Sequence, residues 1–280
     1  MILSGIVLIL LALLGAPLFA VIGASALLGF ARSDIPLTAV PIEIFGIAET
    51  PILLAIPLFT FAGYLLSESR AAARLVRLSS ALLGWLPGGL AMVAVATCSL
   101  FTAFTGGSGV TIIAIGALLY PALVQSGYKE GFTLGLVTSS GSLGLLFAPS
   151  LPLIIYGIIA EVSIDELFVA GIVPGVLMML VLAVYCLWMN RSNRRPISDF
   201  SWREVAQAVR ESIWELPLPF VVLGGIYSGV VAVSEAAAVT VVYVLVVETL
   251  VYREIPLRKL PGIVRDSMVL VGGILLILGI

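Results

Sequence analysis

Histidine is absent from the 280-residue chain, and charge is scarce: Asp, Glu, Lys and Arg together make up 11% of it. Without imidazole there is no His metal site and no His proton relay. A soluble domain carries charge on about a quarter of its residues. A chain with this little charge and 61% hydrophobic residues therefore reads as a polytopic membrane protein. Its net charge of −2 offers neither a nucleic-acid surface nor a polybasic membrane patch. Cysteine is limited to Cys98 and Cys186, which lie in apolar stretches far apart in sequence. They read as small buried hydrophobes, not as a disulfide or a CxxC site. The widest gap in charge runs from Leu78 to Tyr128, 51 residues with no Lys, Arg, Asp or Glu.

What stands in the middle of that gap is Phe104-Thr105-Gly106-Gly107-Ser108-Gly109-Val110-Thr111. Two apolar limbs, 88–104 and 110–125, meet at a tip of glycines and hydroxyls. Non-helical backbone survives inside a membrane only when buried in protein or lining a polar cavity. Glycines expose backbone N–H and C=O groups, and Thr105 and Ser108 add hydroxyl oxygens. Such a tip between half-helices can coordinate a cation through Gly106, Gly107 and Gly109 carbonyls, or receive an anionic group at a helix N-terminus. The other reading is a tight turn between two full spans, with small residues serving helix packing.

A second uncharged run, 131–160, contains Thr138-Ser139-Ser140-Gly141-Ser142 and then Pro149-Ser150-Leu151-Pro152. Hydroxyls, glycine and two prolines inside one span predict a helix unwound across 138–150, whose carbonyls and hydroxyls are hard oxygen ligands suited to Na⁺. The alternative is a Pro-kinked helix whose serines bond back to their own backbone. Two interrupted segments in succession point to a transport site.

Spans of about 20 apolar residues are needed to cross a bilayer. Residues 2–30 are apolar but broken at Gly15-Ala16-Pro17, giving one kinked helix or two short ones, and an uncleaved first segment is expected despite Ala24-Ser25-Ala26. Residues 32–49 look interfacial and 51–66 cross. Arg70, Arg74 and Arg77 mark 67–86 as an amphipathic arm, read as solvated and lipid-facing. Residues 168–189 cross and end in the basic cluster 191–196, which the positive-inside rule places in the cytoplasm. Counting back puts Lys129 and the arm on the same side and the acidic loop at Glu161, Asp165 and Glu166 outside. Residues 197–215 read as an amphipathic surface helix, 216–251 as two short crossings, and Glu235 as a cap for the helix that follows it. The final apolar run, 267–280, reads as too short to span. This divides the chain into scaffold helices (1–66), the arm (67–86), a hairpin and unwound helix (87–160), a connecting span and surface segment (161–215) and the start of a further unit (216–280).

Taken together, Phe104-Thr-Gly-Gly-Ser-Gly-Val-Thr, Tyr120-Pro-Ala-Leu, Ser126-Gly-Tyr, Ser139-Ser-Gly-Ser-Leu-Gly, Pro149-Ser-Leu-Pro and Ile155-Tyr-Gly resemble the large membrane subunit of tripartite ATP-independent periplasmic (TRAP) transporters. Gly224-Gly-Ile-Tyr-Ser-Gly and Ser234-Glu-Ala-Ala-Ala-Val resemble the start of that family's second repeat. Two departures stand out: many members have Ser-Gly-Ser and then an aspartate at the tip, and a proline where this chain has Ala148.

The resemblance implies an all-α inverted-repeat transporter of the elevator type, with a re-entrant hairpin and a discontinuous helix, in a bacterial or archaeal inner membrane. It implies Na⁺ as coupling ion and no other cofactor. The implied partners are a small four-helix membrane subunit, a periplasmic substrate-binding protein and a small organic acid such as a C4-dicarboxylate. Carried onto this sequence, Thr105, Gly106, Gly107, Ser108 and Gly109, together with Thr138, Ser139, Ser140, Gly141, Ser142, Pro149 and Ser150, are the candidate binding residues. Gly106, Ser108, Ser140 and Ser142 are the candidate Na⁺ ligands, and a second repeat cut short is expected. An ion channel with an oxygen-lined re-entrant loop is the alternative. Enzyme chemistry is not expected, because neither uncharged run contains a histidine or carboxylate to act as acid or base.

Overall fold

The computed structural model describes residues 2–86, 88–189 and 200–278, which are helical throughout with no strand among them. The first apolar run is two helices, α1 (Ile2–Leu13) and α2 (Leu18–Arg32), parted where Gly15 takes a φ of +89°. Next come α3 (Ala39–Ala48) and α4 (Ala55–Glu68), the latter extended by a 3-10 turn from Pro51 into an 18-residue apolar helix. The arm is α5 (Ala71–Leu83). The hairpin is α6 (Gly89–Thr105) and α7 (Ser108–Gln125). The second uncharged run is α8 (Glu130–Leu143) and α9 (Leu151–Ala160), followed by α10 (Ile164–Met189). The remainder is α11 (Trp202–Glu211), α12 (Pro217–Tyr227), α13 (Val233–Val246, continued by a π turn to Val251) and α14 (Leu260–Leu278).

Five of these helices are long and apolar enough to cross a membrane: 51–68, 108–125, 164–189, 233–251 and 257–278. The α8–α9 pair, bent by 45°, makes a sixth if it is one span. The expectation for the last run is corrected here. The helix starts well before Ser267, and with the turn from Leu257 it is 22 residues long. Its opening charges hid it in the sequence, because Arg265 and Asp266 stand on the outer face while Ile263, Ser267 and Val271 face inward.

Helix α4 packs against α13 and α14 on one side and α6 on another, and α6 in turn packs against α5, α7 and α8. In lipid there is little hydrophobic force between helices, so close approach and side-chain fit hold them. Phe59, Phe101 and Phe168 are fully buried. Glycine permits the tightest crossings. A Cβ on Gly63 of α4 would lie 2.5 Å from the Thr105 carbonyl oxygen, and one on Gly144 would lie 2.5 Å from that of Ser99. Outward, α10 presents Val173, Leu177, Val181 and Val184, each more than half exposed and spaced by helical turns. Such a stripe suits contact with lipid or with another membrane helix.

The basic cluster 191–196, on which absolute orientation rests, lies outside the described residues. Relative sidedness is visible without it. Tyr128 and Phe132, where α7 turns into α8, join Tyr185 and Trp188 at the end of α10 in a chain of rings 6.0–6.4 Å apart. Trp85, just after the arm, meets Phe200, which meets Trp202 at the start of α11. The segments that the charge count put on one side are thus together in space, and aromatic belts of this kind sit at the membrane interface. Glu235 caps α13 as expected, its carboxylate accepting the Ala232 N–H at 3.0 Å.

Candidate functional site

The tip of the hairpin is only two residues, Gly106 and Gly107, between the end of α6 and the start of α7. Gly106 has a φ of +66°, a conformation that favours glycine. It packs onto the break between α8 and α9: a Cβ there would lie 3.1 Å from Leu151 and 3.4 Å from the Pro149 carbonyl oxygen. Ser108 reaches the other half of the same helix, its carbonyl oxygen 3.7 Å from where a Cβ on Gly141 would be. Depth follows from length. α7 rises about 27 Å from its C-terminal turn at 1.5 Å per residue, and beyond the break that faces the tip the ten residues of α9 still have to run. The tip therefore ends level with an interruption inside a span, which favours a re-entrant hairpin over two full crossings.

The break itself is shorter than 138–150, which corrects the sequence expectation. Thr138 to Leu143 are helical, Gly144–Leu146 is a 3-10 turn, and Phe147–Ser150 is the non-helical stretch. Thr138 Oγ1 donates to the Leu134 carbonyl and Ser142 Oγ to that of Thr138, so these two hydroxyls serve their own helix, as the kinked-helix alternative described. Thr138, Ser139 and Ser142 are exposed, whereas Ser140, Gly141, Pro149 and Ser150 are buried, Gly141 and Pro149 directly against the tip. Of the four Na⁺ candidates, Gly106 and Ser140 lie within this packed region, Ser108 is half-buried at its edge and Ser142 is outside it.

A row of hydroxyls on α6 holds the broken helix in place. The last four carbonyls of a helix have no intrahelical partner. For α8, Ser99 Oγ donates to the Ser140 carbonyl at 3.4 Å and Thr102 Oγ1 to that of Gly141 at 2.8 Å. Thr102 Oγ1 also lies 2.7 Å from Thr111 Oγ1, which is 3.2 Å from Thr105 Oγ1 and 3.3 Å from the Gly107 carbonyl. Ser99 and Thr102 were missed by the sequence analysis. Their signal was the three-residue spacing of Ser99, Thr102 and Thr105 along one helical face.

Against this background, four buried hydroxyls among the described residues have no hydrogen-bond partner, those of Thr97, Ser140, Ser150 and Ser212. Ser140 and Ser150 are both fully buried and stand one on each half of the broken helix. A buried orphan hydroxyl costs about 1–3 kcal/mol, and a hard cation would remove that cost. The donors here are hydroxyl and carbonyl oxygens without carboxylate or imidazole, and no group of three His, Cys, Asp or Glu arranged to hold a metal ion occurs among the described residues. Neutral oxygens suit a monovalent hard ion better than a transition metal. Cys98 and Cys186 are buried and not joined in a disulfide, as expected.

The arm departs from its solvated, lipid-facing reading. Arg74 is 10% exposed, and its guanidinium is in contact with Glu215, Glu248 and Glu254. Arg77 pairs with Glu211 on α11 and is half-exposed. The carboxylates lie between 134 and 180 residues away along the chain, so spacing could not reveal them.

A glycine-tipped hairpin set against a broken helix, within a bundle of membrane-length helices, defines the architecture of a secondary transporter. A family model described as the tripartite ATP-independent periplasmic transporter, DctM component, matches residues 3–279. The chain belongs to this family. It is 34% identical over 276 residues to the ectoine/5-hydroxyectoine TRAP transporter large permease protein UehC of Ruegeria pomeroyi, covering 97% of this chain and 64% of the relative. It is 37% identical to the C4-dicarboxylate TRAP transporter large permease protein DctM of Pseudomonas aeruginosa, covering 88% and 57%. It is 36% identical to the isethionate TRAP transporter permease protein DctMQ of Oleidesulfovibrio alaskensis, covering 86% and 38%. The chain thus matches less than two thirds of the length of each of these relatives.

Proposed function

We propose that this chain supplies part of the membrane pathway of a sodium-coupled importer for a small organic acid. In this reading the acid is delivered by a periplasmic binding protein, and the permease works with a small membrane subunit in the bacterial inner membrane. The hairpin and broken helix move together past the scaffold of α4, α13 and α14, carrying the site across in the manner of an elevator. Sodium, the transported coupling ion, is held by Ser140, Ser150 and carbonyls at the tip. Of the four partnerless buried hydroxyls, the two that flank the break, Ser140 and Ser150, are the observation that carries this assignment. The acid is held without a cation from the two uncharged runs. Free N–H groups at the starts of α7 and α9 face its negative charge, and the co-bound sodium supplies the positive charge. The substrates named for the relatives, a C4-dicarboxylate, ectoine and isethionate, are the first probes to use.

The test is uptake of those probes by the complete permease, reconstituted in liposomes with its small subunit and binding protein. An imposed Na⁺ gradient is expected to drive uptake, and a K⁺ gradient is not. Ser140→Ala and Ser150→Ala should each raise the Na⁺ concentration for half-maximal uptake about tenfold, which corresponds to about 1.4 kcal/mol. Ser142→Ala, outside the packed region, should leave it unchanged. Uptake equal in Na⁺ and K⁺ would reject the sodium assignment, and equal effects of all three substitutions would reject the proposed ligands.

A further inference from the structure

Arg74 joins three segments that are remote in sequence. Its Nε donates to Glu215 Oε1 at 2.5 Å, in the link between α11 and α12. Its Nη1 donates to Glu254 Oε1 at 2.5 Å, beyond α13, and its Nη2 to Glu248 Oε1 at 3.2 Å, in the π turn. The guanidinium carbon lies 4.0 Å over the Tyr252 ring, and the Tyr252 hydroxyl donates to the Glu211 carbonyl at 2.7 Å. Glu254 also accepts the Arg70 backbone N–H at 2.7 Å. Glu248 is fully buried, Glu215 is 4% exposed and Glu254 is 18% exposed.

One guanidinium thus faces three carboxyl groups. The neighbouring charges do not restore balance within the buried part. Arg77 and Glu211 neutralise each other at the surface, and the Arg253 side chain turns to the Leu250 carbonyl and is exposed. Arg70 and Arg210 line an open cleft of about 420 Å³ that reaches Arg74, Tyr252 and Glu254 from solvent. With all three carboxyls ionised, the buried group would carry two uncompensated negative charges. Like charges at this separation in a low-dielectric setting do not all ionise together.

We propose that the Arg74 cluster is a pH-sensitive fastener, closed while the buried Glu215 and Glu248 share one bound proton and loosened when that proton is lost. The proton enters and leaves through the open cleft, converting one carboxylate to the neutral acid and back. Closed, the fastener binds the arm to the α11–α12 link and to the end of α13. Opened, mutual repulsion of the carboxylates weakens those attachments and frees the arm. Glu215, outside the membrane spans, is held above the ordinary carboxylate range, chiefly by burial and against the pull of Arg74. A raised carboxyl pKa adds stability that is present in acid and is lost as pH rises through the folded-state value.

The experiment is thermal unfolding of the complete protein in nanodiscs between about pH 6 and 9, beside infrared detection of protonated carboxyl groups. The wild type should lose about 3 °C or more in Tm toward the alkaline end, with a carboxylic-acid C=O band fading over the same range. Glu254→Gln, at the more exposed rim, and Glu248→Gln each remove one charge without changing shape. Each should flatten the dependence and raise Tm at alkaline pH, while Arg74→Gln should lower Tm at every pH. A wild-type Tm that is level across the range would overturn the proposal. So would glutamine variants that lower Tm equally at both ends, since the cluster would then need all its charges. This result is independent of what the hairpin binds, so it stands or falls apart from sodium coupling.

Discussion

At the residue scale, the site is a contest over who satisfies each oxygen. Thr138 and Ser142 bond to their own helix and drop out of the site. Ser99 and Thr102 bond to the end of α8 and become its clamp, and Ser140 and Ser150 are left over. Sequence shows that hydroxyls are present but not which of these fates each one meets, because that depends on which face of α8 turns toward α6. The clamp also depends on the absence of a side chain at Gly144, where a Cβ would lie 2.3 Å from Thr102 Cβ and 2.5 Å from the Ser99 carbonyl oxygen. Gly144→Ala is therefore expected to push α8 off α6 and to destabilise the protein by about 1–3 kcal/mol. It should also abolish transport rather than merely shift its sodium dependence. Thermal unfolding and uptake on the same preparation check both effects.

At the element scale, the hairpin and the broken helix were legible in the sequence, because a long uncharged run interrupted by glycine, hydroxyl and proline has few other physical meanings. Two elements were not. The break is confined to 147–150, since the preceding serines and threonine keep their helix. α14 was underestimated because charges on an exposed face read as the end of a span. The arm is a third case: its amphipathic pattern was visible, but its polar face meets protein at Arg74. Its apolar face, with Leu75 and Leu78 buried, packs toward α6, and α11 lies against it with Val205 and Ala208 buried. Leu75, 1% exposed, should be the anchor of this packing. Leu75→Ala is expected to cost about 2–4 kcal/mol and to increase proteolysis near the arm, read by thermal unfolding and limited digestion.

At the scale of the whole molecule, relative topology rests on contacts that join distant segments. The aromatic chain from Tyr128 to Trp188, the Trp85–Phe200–Trp202 group and the Arg74 cluster bring together the parts that charge counting had assigned to one side. A hairpin that enters from that side and stops against a broken helix leaves its tip packed on Gly63, Gly141 and Leu151, with Thr105 and Gly106 buried, Gly107 and Ser108 half-buried and Gly109 exposed. Everything proposed for transport depends on that tip being inside the protein and sensitive to the ion.

The most direct test is a single cysteine at Ser108 in the complete protein, with Cys98 and Cys186 replaced. Its labelling by membrane-impermeant thiol reagents would be measured from each face, with and without Na⁺. Protection by sodium, or a change in the face from which the cysteine is reached, is the expected result. Free labelling from the outer face alone, indifferent to sodium, would make residues 105–109 an ordinary external loop and contradict the assignment.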